Sequence, residues 1–282
     1  MSRRARAALA TVGGAGVLAL LAPGAAGVFA AAPPGVPPGA GAPSFALVDA
    51  RVSPRRAYAA GRRVRVGFAV AAPAPLALRI DVVHEATRRP VRSFALASAA
   101  PGVEQRFAWN GRTRAGEVAP NGRYRMRVAA PDGSAHDAGR VELRSHIYPI
   151  RGRHADRGPA GAFGVARNGG RTHEGVDINA ACGTPLVAAR GGVVTRAGYD
   201  PVLYGNIVIV RGERTRRDYW YAHLLRTPRP RVGDRVSTGQ RIGSVGTTGN
   251  ARTIGCHLHF EVRSRGRPID PAAELRAWDG WS

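Results

Sequence analysis

Residues 255–262 read GCHLHFEV, and with Arg263 they decide how the rest of the chain is read. Apolar and polar residues alternate over this stretch, which predicts a strand whose successive side chains point to opposite faces. Cys256, Leu258, Phe260 and Val262 then share an apolar face, while His257, His259, Glu261 and Arg263 share a polar one. Two imidazoles project together into whatever that polar face lines. A solvated histidine pair would explain them if they stood alone, but residues elsewhere in the chain argue otherwise.

Upstream, RTHEGVDINAACG (171–183) brings His173 and Asp177 at a spacing of four. The stretch begins like the helical His-Glu-x-x-His zinc motif, in which the glutamate is the general base. Its fifth residue is Asp, however, and Gly175–Val176 is poor helix sequence. The helical reading is set aside, and with it Glu174 as the base. His173 and Asp177 remain good zinc ligands, and one nitrogen from the 255–262 strand would complete a set of two histidines and one carboxylate. Three protein ligands leave a fourth tetrahedral position open, which marks a catalytic rather than a structural zinc. A further histidine lies in DYWYAHL (218–224), where Tyr219, Tyr221 and His223 alternate along an expected strand.

His-x-x-x-Asp, Tyr-x-His and His-x-His, in this order from 173 to 259, resemble the lysostaphin/LytM-type zinc metallopeptidases that cut peptidoglycan. The resemblance extends over residues 146–275 and takes in GTPLVAARGGVV, GNIVIV and VGDRVSTGQRIGSVGTTGN. It implies an antiparallel β-sheet peptidase domain of barrel-sandwich-hybrid type over 146–275. It also implies one zinc ion held by His173, Asp177 and His259, with His223 and His257 as an unligated catalytic pair that moves protons. The implied reaction is hydrolysis of peptide bonds in peptidoglycan stem peptides or cross-bridges. Which of His223 and His257 is the base stays open, as does any part for Tyr221. The alternative is a wall-binding regulator that activates other hydrolases without cutting, as in relatives of this fold that have lost ligands; all the expected ligands are present here. GDRVSTGQRIGSVG also looks like the strands of biotinyl or lipoyl carriers. Those need a lysine, and the chain has none, which excludes a carrier role.

Ahead of this region, residues 44–145 hold short alternating runs such as FALVDARV, RRVRVGFAV and RYRMRVAA, separated by turn-rich segments. They predict a small antiparallel sandwich, so the whole chain reads as mainly β. WNGRTRAGEVAPNGRYRMRV (109–128) resembles the bacterial immunoglobulin-like domains of the flagellar hook-cap protein and other exported proteins. Asn110–Gly111 and Asn121–Gly122 supply the positive φ angles of tight turns, and Trp109 and Tyr124 are natural core aromatics. His84 and His136 read as surface or edge residues. PAAELRAW (271–278) has a helical pattern, and 276–282 reads as a C-terminal tail.

The first residues, MSRRAR, are cationic, and no further charge follows before Asp49. Residues 1–32 read as a secretory signal, with an uncleaved membrane anchor as the alternative, and 33–43 as a Pro/Gly-rich linker. The expected location is secreted or cell-wall associated. An exported chain with an even cysteine count most often pairs them, so a Cys182–Cys256 disulfide is expected. The alternatives are two separate thiols or Cys256 as a metal ligand, although Cys256 would face away from His257 and His259. All 42 basic residues are arginine, and the net charge is +23. Their scatter fits GC-rich coding, and the excess would also favour anionic wall polymers. No recognisable nucleic-acid motif accompanies it, so no nucleic-acid partner is expected. Membrane contact is expected only if the N-terminal segment stays uncleaved.

Overall fold

Period-two alternation builds two sheets from residues 46–144 of the computed structural model, which describes residues 44–281. RRVRVGFAV forms the strand Val64–Ala71, burying Val64, Val66, Phe68 and Val70. RYRMRVA forms the strand Gly122–Ala129, with Tyr124, Met126 and Val128 inside and Arg123 and Arg127 outside. The first lies between Ala46–Ser53 and Gln105–Trp109 in a three-stranded sheet. The second is central in a five-stranded sheet with Arg56–Tyr58, Ala135–Arg144, Leu76–His84 and Arg89–Ala99. The inner faces share one core around Trp109 and Tyr124, whose rings are 4.9 Å apart. His84, expected at the surface, is buried beside Tyr124. Its ring occupies the space where a side chain at Gly122 would stand, so Gly122 must lack one. The expected signal segment (1–32) and linker (33–43) lie outside the described residues.

A further, eight-stranded antiparallel sheet carries the histidines. Its order runs from Arg235–Val236 through Gly192–Asp200, Gly205–Gly212, Arg217–Leu224, His257–Ser264 and Val176–Ala180 to His154–Asp156. Arg267–Ile269 also pairs with His257–Ser264. One face is a hydrophobic core. Leu258, Phe260 and Val262 meet Ile178, Tyr219 and Tyr221 there, with Leu186 and Ile242 from the small sheet Pro185–Val187/Arg241–Ser244. The other face of His257–Ser264 presents its polar side chains. Alternation along one strand thus assigns alternate residues to packing and to chemistry. Cys182 and Cys256 form a disulfide that ties the loop after Val176–Ala180 to the start of His257–Ser264.

The expected boundary at 275 falls inside a helix, Ala272–Asp279, whose Leu275 and Trp278 sit in the core of the eight-stranded sheet. Residues 276–281 therefore pack with that sheet and are not a free tail. Trp278 stacks on His146 at 4.4 Å with an interplanar angle of 7°. Trp281 donates its indole N–H to the His146 carbonyl at 2.9 Å and lies under the Arg144 guanidinium. Further contacts join the sandwich to this sheet. Buried Arg190 donates to the carbonyl of Ser145 at 2.8 Å, the Thr238 amide donates to that of Ala60 at 3.1 Å, and Arg112 pairs with Glu213. Trp278→Ala should lower the stability of the region built on the eight-stranded sheet by about 3–5 kcal/mol, the usual loss for a buried tryptophan. Denaturant unfolding followed by tryptophan fluorescence would measure it, and a loss below about 1 kcal/mol would contradict the core position of this helix.

Candidate metal centre

Three adjacent strands bring the histidines together. Asp177 on Val176–Ala180 stands directly opposite His259 on His257–Ser264, and His259 is opposite Ala222 on Arg217–Leu224. His173 arrives from the preceding loop, held by backbone hydrogen bonds in both directions between Gly164–Val165 and His173. That loop crosses the sheet closely. A Cβ on Gly175 would lie 2.5 Å from the Phe260 carbonyl oxygen and 3.0 Å from the His259 ring, so glycine is required there. The same close crossing explains why the His-Glu-x-x-x stretch is not helical.

Nε2 of His173, Oδ1 of Asp177 and Nδ1 of His259 form a triangle with edges of 2.9, 3.0 and 3.0 Å. Zinc–nitrogen bonds of about 2.0–2.1 Å need tetrahedral donors roughly 3.3 Å apart, so this set fits a zinc ion after an adjustment of a few tenths of an ångström. Among the described residues, these three form the one cluster of histidine, cysteine or acidic side chains suited to a metal. Cys256 is in the disulfide and does not join it.

The opposite edges of the ligands are all engaged. His173 donates Nδ1–H to the Ala162 carbonyl at 2.7 Å. His259 donates Nε2–H to the Glu261 carboxylate at 2.9 Å, and Glu261 accepts from Arg263 Nε at 2.7 Å. Asp177 uses its second oxygen to accept from Arg167 at 3.1 Å. Such outer partners fix the tautomer and direction of each ligand. Burial alone would lower the basicity of His259, but the carboxylates of Asp177 and Glu261 outweigh it and raise its pKa to about 9. Burial pushes the Asp177 carboxyl up, yet its close contacts with the His173 and His259 rings prevail and hold it well below the usual carboxylate range.

His223 and His257 stand beside this triangle. Their rings are 4.9 Å apart, and Nε2 of His257 is 3.9 Å from Asp177 Oδ1. Each donates Nδ1–H to a carbonyl, His223 to Thr248 at 2.8 Å and His257 to Gly255 at 2.9 Å, which leaves Nε2 with a lone pair. Burial, reinforced by the neighbouring histidines, lowers the His223 pKa to about 3; burial likewise lowers that of His257. Both are neutral imidazoles near neutral pH.

His223 does not share a face with Tyr221, contrary to simple alternation. A bulge opposite Asn206–Val208 gives His223 a φ of +61° and puts Ala222 and His223 on the same side of the sheet. Tyr221 faces the core, fully buried, where its hydroxyl accepts from the Ala189 amide at 2.7 Å, so it has no place in the groove. Sequence reasoning also assigned no part to Glu261, Arg263, Arg167 or the three carbonyls. For Glu261 a signal existed, because it lies two residues beyond His259 on the same polar face.

The site opens into a groove of about 960 Å³ bounded by residues of the eight-stranded sheet and the loops around it, including Arg157, Arg171, Tyr204 and Asn250. Residues 171–271 match peptidase family M23. A lipoprotein NlpD/LppB homologue of Pseudomonas aeruginosa is 38% identical over 113 residues, 40% of this chain and 36% of that protein. The peptidoglycan DD-endopeptidase ShyC of Vibrio cholerae is 41% identical over 101 residues, 36% of this chain and 22% of the relative. The match thus spans little more than a third, at most, of these curated relatives. The catalytic domain of the antimicrobial peptidase lysostaphin from Staphylococcus simulans aligns at 30% identity with a TM-score of 0.37, over 44% of this chain and 92% of that domain.

Because His259 carries a proton at neutral pH when no metal is bound, zinc binding at pH 7 should release about one proton per chain. Calorimetric titration in buffers of different ionisation enthalpy would count it. Glu261→Gln should weaken zinc binding by about 10–100-fold, the usual cost of losing an outer carboxylate partner. Unchanged affinity would show that this carboxylate does not support the ligand.

Proposed function

We propose that the peptidase family M23 domain of this chain is a zinc-dependent endopeptidase that hydrolyses peptide bonds in peptidoglycan, in stem peptides or cross-bridges, outside the cytoplasm. One observation carries the reading: three ligand atoms of the right kind converge beside two further imidazoles whose free Nε2 atoms face the same groove. When bound, zinc supplies Lewis acidity, polarising the scissile carbonyl and bringing the ionisation of water toward neutral pH. His173, Asp177 and His259 hold it, and Glu261 and Arg167 keep His259 and Asp177 in place.

His223 and His257 then divide the proton work. A neutral imidazole accepts a proton from the attacking water and returns one to the leaving amine; in its protonated form it steadies the oxyanion. Their low basicity keeps both available as acceptors at neutral pH. The substrate class rests on the relative named peptidoglycan DD-endopeptidase. Every residue lining the groove lies at or beyond Arg157, so the sandwich, which we assign as an immunoglobulin-like domain, leaves the groove uncovered.

The test is hydrolysis of purified cross-linked peptidoglycan, read as newly released amino groups and as muropeptides by mass spectrometry. His259→Ala should abolish both zinc binding and activity. His257→Ala should lose activity by about 10²-fold or more while keeping most of its zinc. Equal metal loss in the two variants would overturn the division of roles. Stoichiometric zinc in wild-type protein that cuts no wall type would replace the enzyme reading with that of a wall-binding regulator.

A further inference from the structure

The arginine excess is not evenly compensated over the sandwich surface. Residues 44–145 contain 18 arginines against 8 acidic residues. Between the strands Ala46–Ser53 and Ala135–Arg144 lies a groove of about 700 Å³, which shares no residue with the metal centre's groove. Its floor is made of small and aliphatic residues, among them Ala50, Val52 and Gly139, and four exposed arginines line it: Arg51, Arg55, Arg123 and Arg140.

Arg51 pairs with Glu104, and Arg140 donates Nε–H to Glu85 at 2.8 Å. The one acidic residue of the lining, Glu142, is taken by Arg56 at 2.8 Å and by Arg144. Among the described ion pairs none involves Arg55 or Arg123. The groove is therefore a concave surface with uncompensated positive charge and no aromatic side chain.

Guanidinium groups suit phosphate, which they bind through two parallel hydrogen bonds. A phosphodiester chain is a better fit than isolated anions, since several guanidiniums lie along one groove. The missing aromatics argue against single-stranded nucleic acid, whose bases need stacking platforms. We propose that this groove binds a base-free phosphodiester polymer, a chain of polyols linked by phosphates, and so holds the protein on a surface rich in it. The proposal stands independently of the peptidase reading.

The experiment uses the full chain and soluble poly(glycerol phosphate) as the probe, with binding measured by calorimetry at several salt concentrations. Binding should weaken steeply with salt, and Arg55→Ala/Arg123→Ala should weaken it about tenfold or more, at roughly a factor of five per phosphate-contacting arginine. Arg226→Ala/Arg229→Ala, which removes the same charge from an exposed loop outside the groove, should change it by less than about twofold. Thermal unfolding of both variants separates lost contacts from lost folding. An equal effect of the two double variants would reduce the binding to net charge and overturn the site. So would tighter binding of a single-stranded oligothymidylate or of phosphatidylglycerol vesicles than of the polyol polymer, or no binding of that polymer at low salt.

Discussion

A neutral imidazole carries one hydrogen, and the nitrogen that holds it cannot also present a lone pair. The centre of this protein is arranged around that limit. Each of its four histidines has the nitrogen away from the site tied to an acceptor: carbonyls for His173, His223 and His257, and a carboxylate for His259. Three of them turn Nε2 inward. His259 alone turns Nδ1 inward, so its acceptor must lie farther out along the strand, and alternation supplies Glu261 at that place. The loops on both sides of the groove can be understood by what they deliver. Residues 162–165 bring a carbonyl to His173, and residues 248–255 bring carbonyls to His223 and His257.

Burial gives these acceptors their effect. In a site shielded from water, a hydrogen bond to a carboxylate decides a protonation state, and the absence of one does so too. His259, between two carboxylates, is strongly basic; His223, buried among imidazoles, is weakly so. Residues of the same type thus differ in basicity through their surroundings, in the sense that the proposed ligand and proton-carrier roles require. Arg263 extends the arrangement outward, since it holds Glu261 and lies 4.0 Å above the Trp220 ring.

Much of this was legible in the sequence because a strand has a simple period. GCHLHFEV separates into a packing face and a chemical face on paper as it does in the sheet, and the buried alternate residues of RRVRVGFAV and RYRMRVA follow the same rule. Gly175–Val176, poor helix sequence, argued against a helix from His173 to Asp177, and in the structure Gly175 lies where the chain crosses the sheet closely. What could not be read depends on partners distant in sequence. The bulge that separates His223 from Tyr221 is set by the neighbouring strand at Asn206–Val208, and no local pattern announces it. Arg167 reaches Asp177 from a two-stranded hairpin too short to have a periodicity. The last helix has only two core residues, so its docking against His146 was invisible until His146 had a place.

The cystine joins two segments separated by 74 positions, and the side chains proposed to hold the metal are divided between them. His173 and Asp177 precede the closed ring, His259 follows it, and His223 lies within it. The ring also contains the exposed turns around Val202 and Val232, where a foreign protease would find its easiest access. A single cut in either turn would open the ring without producing two molecules, and both halves of the ligand set would remain on one covalent body.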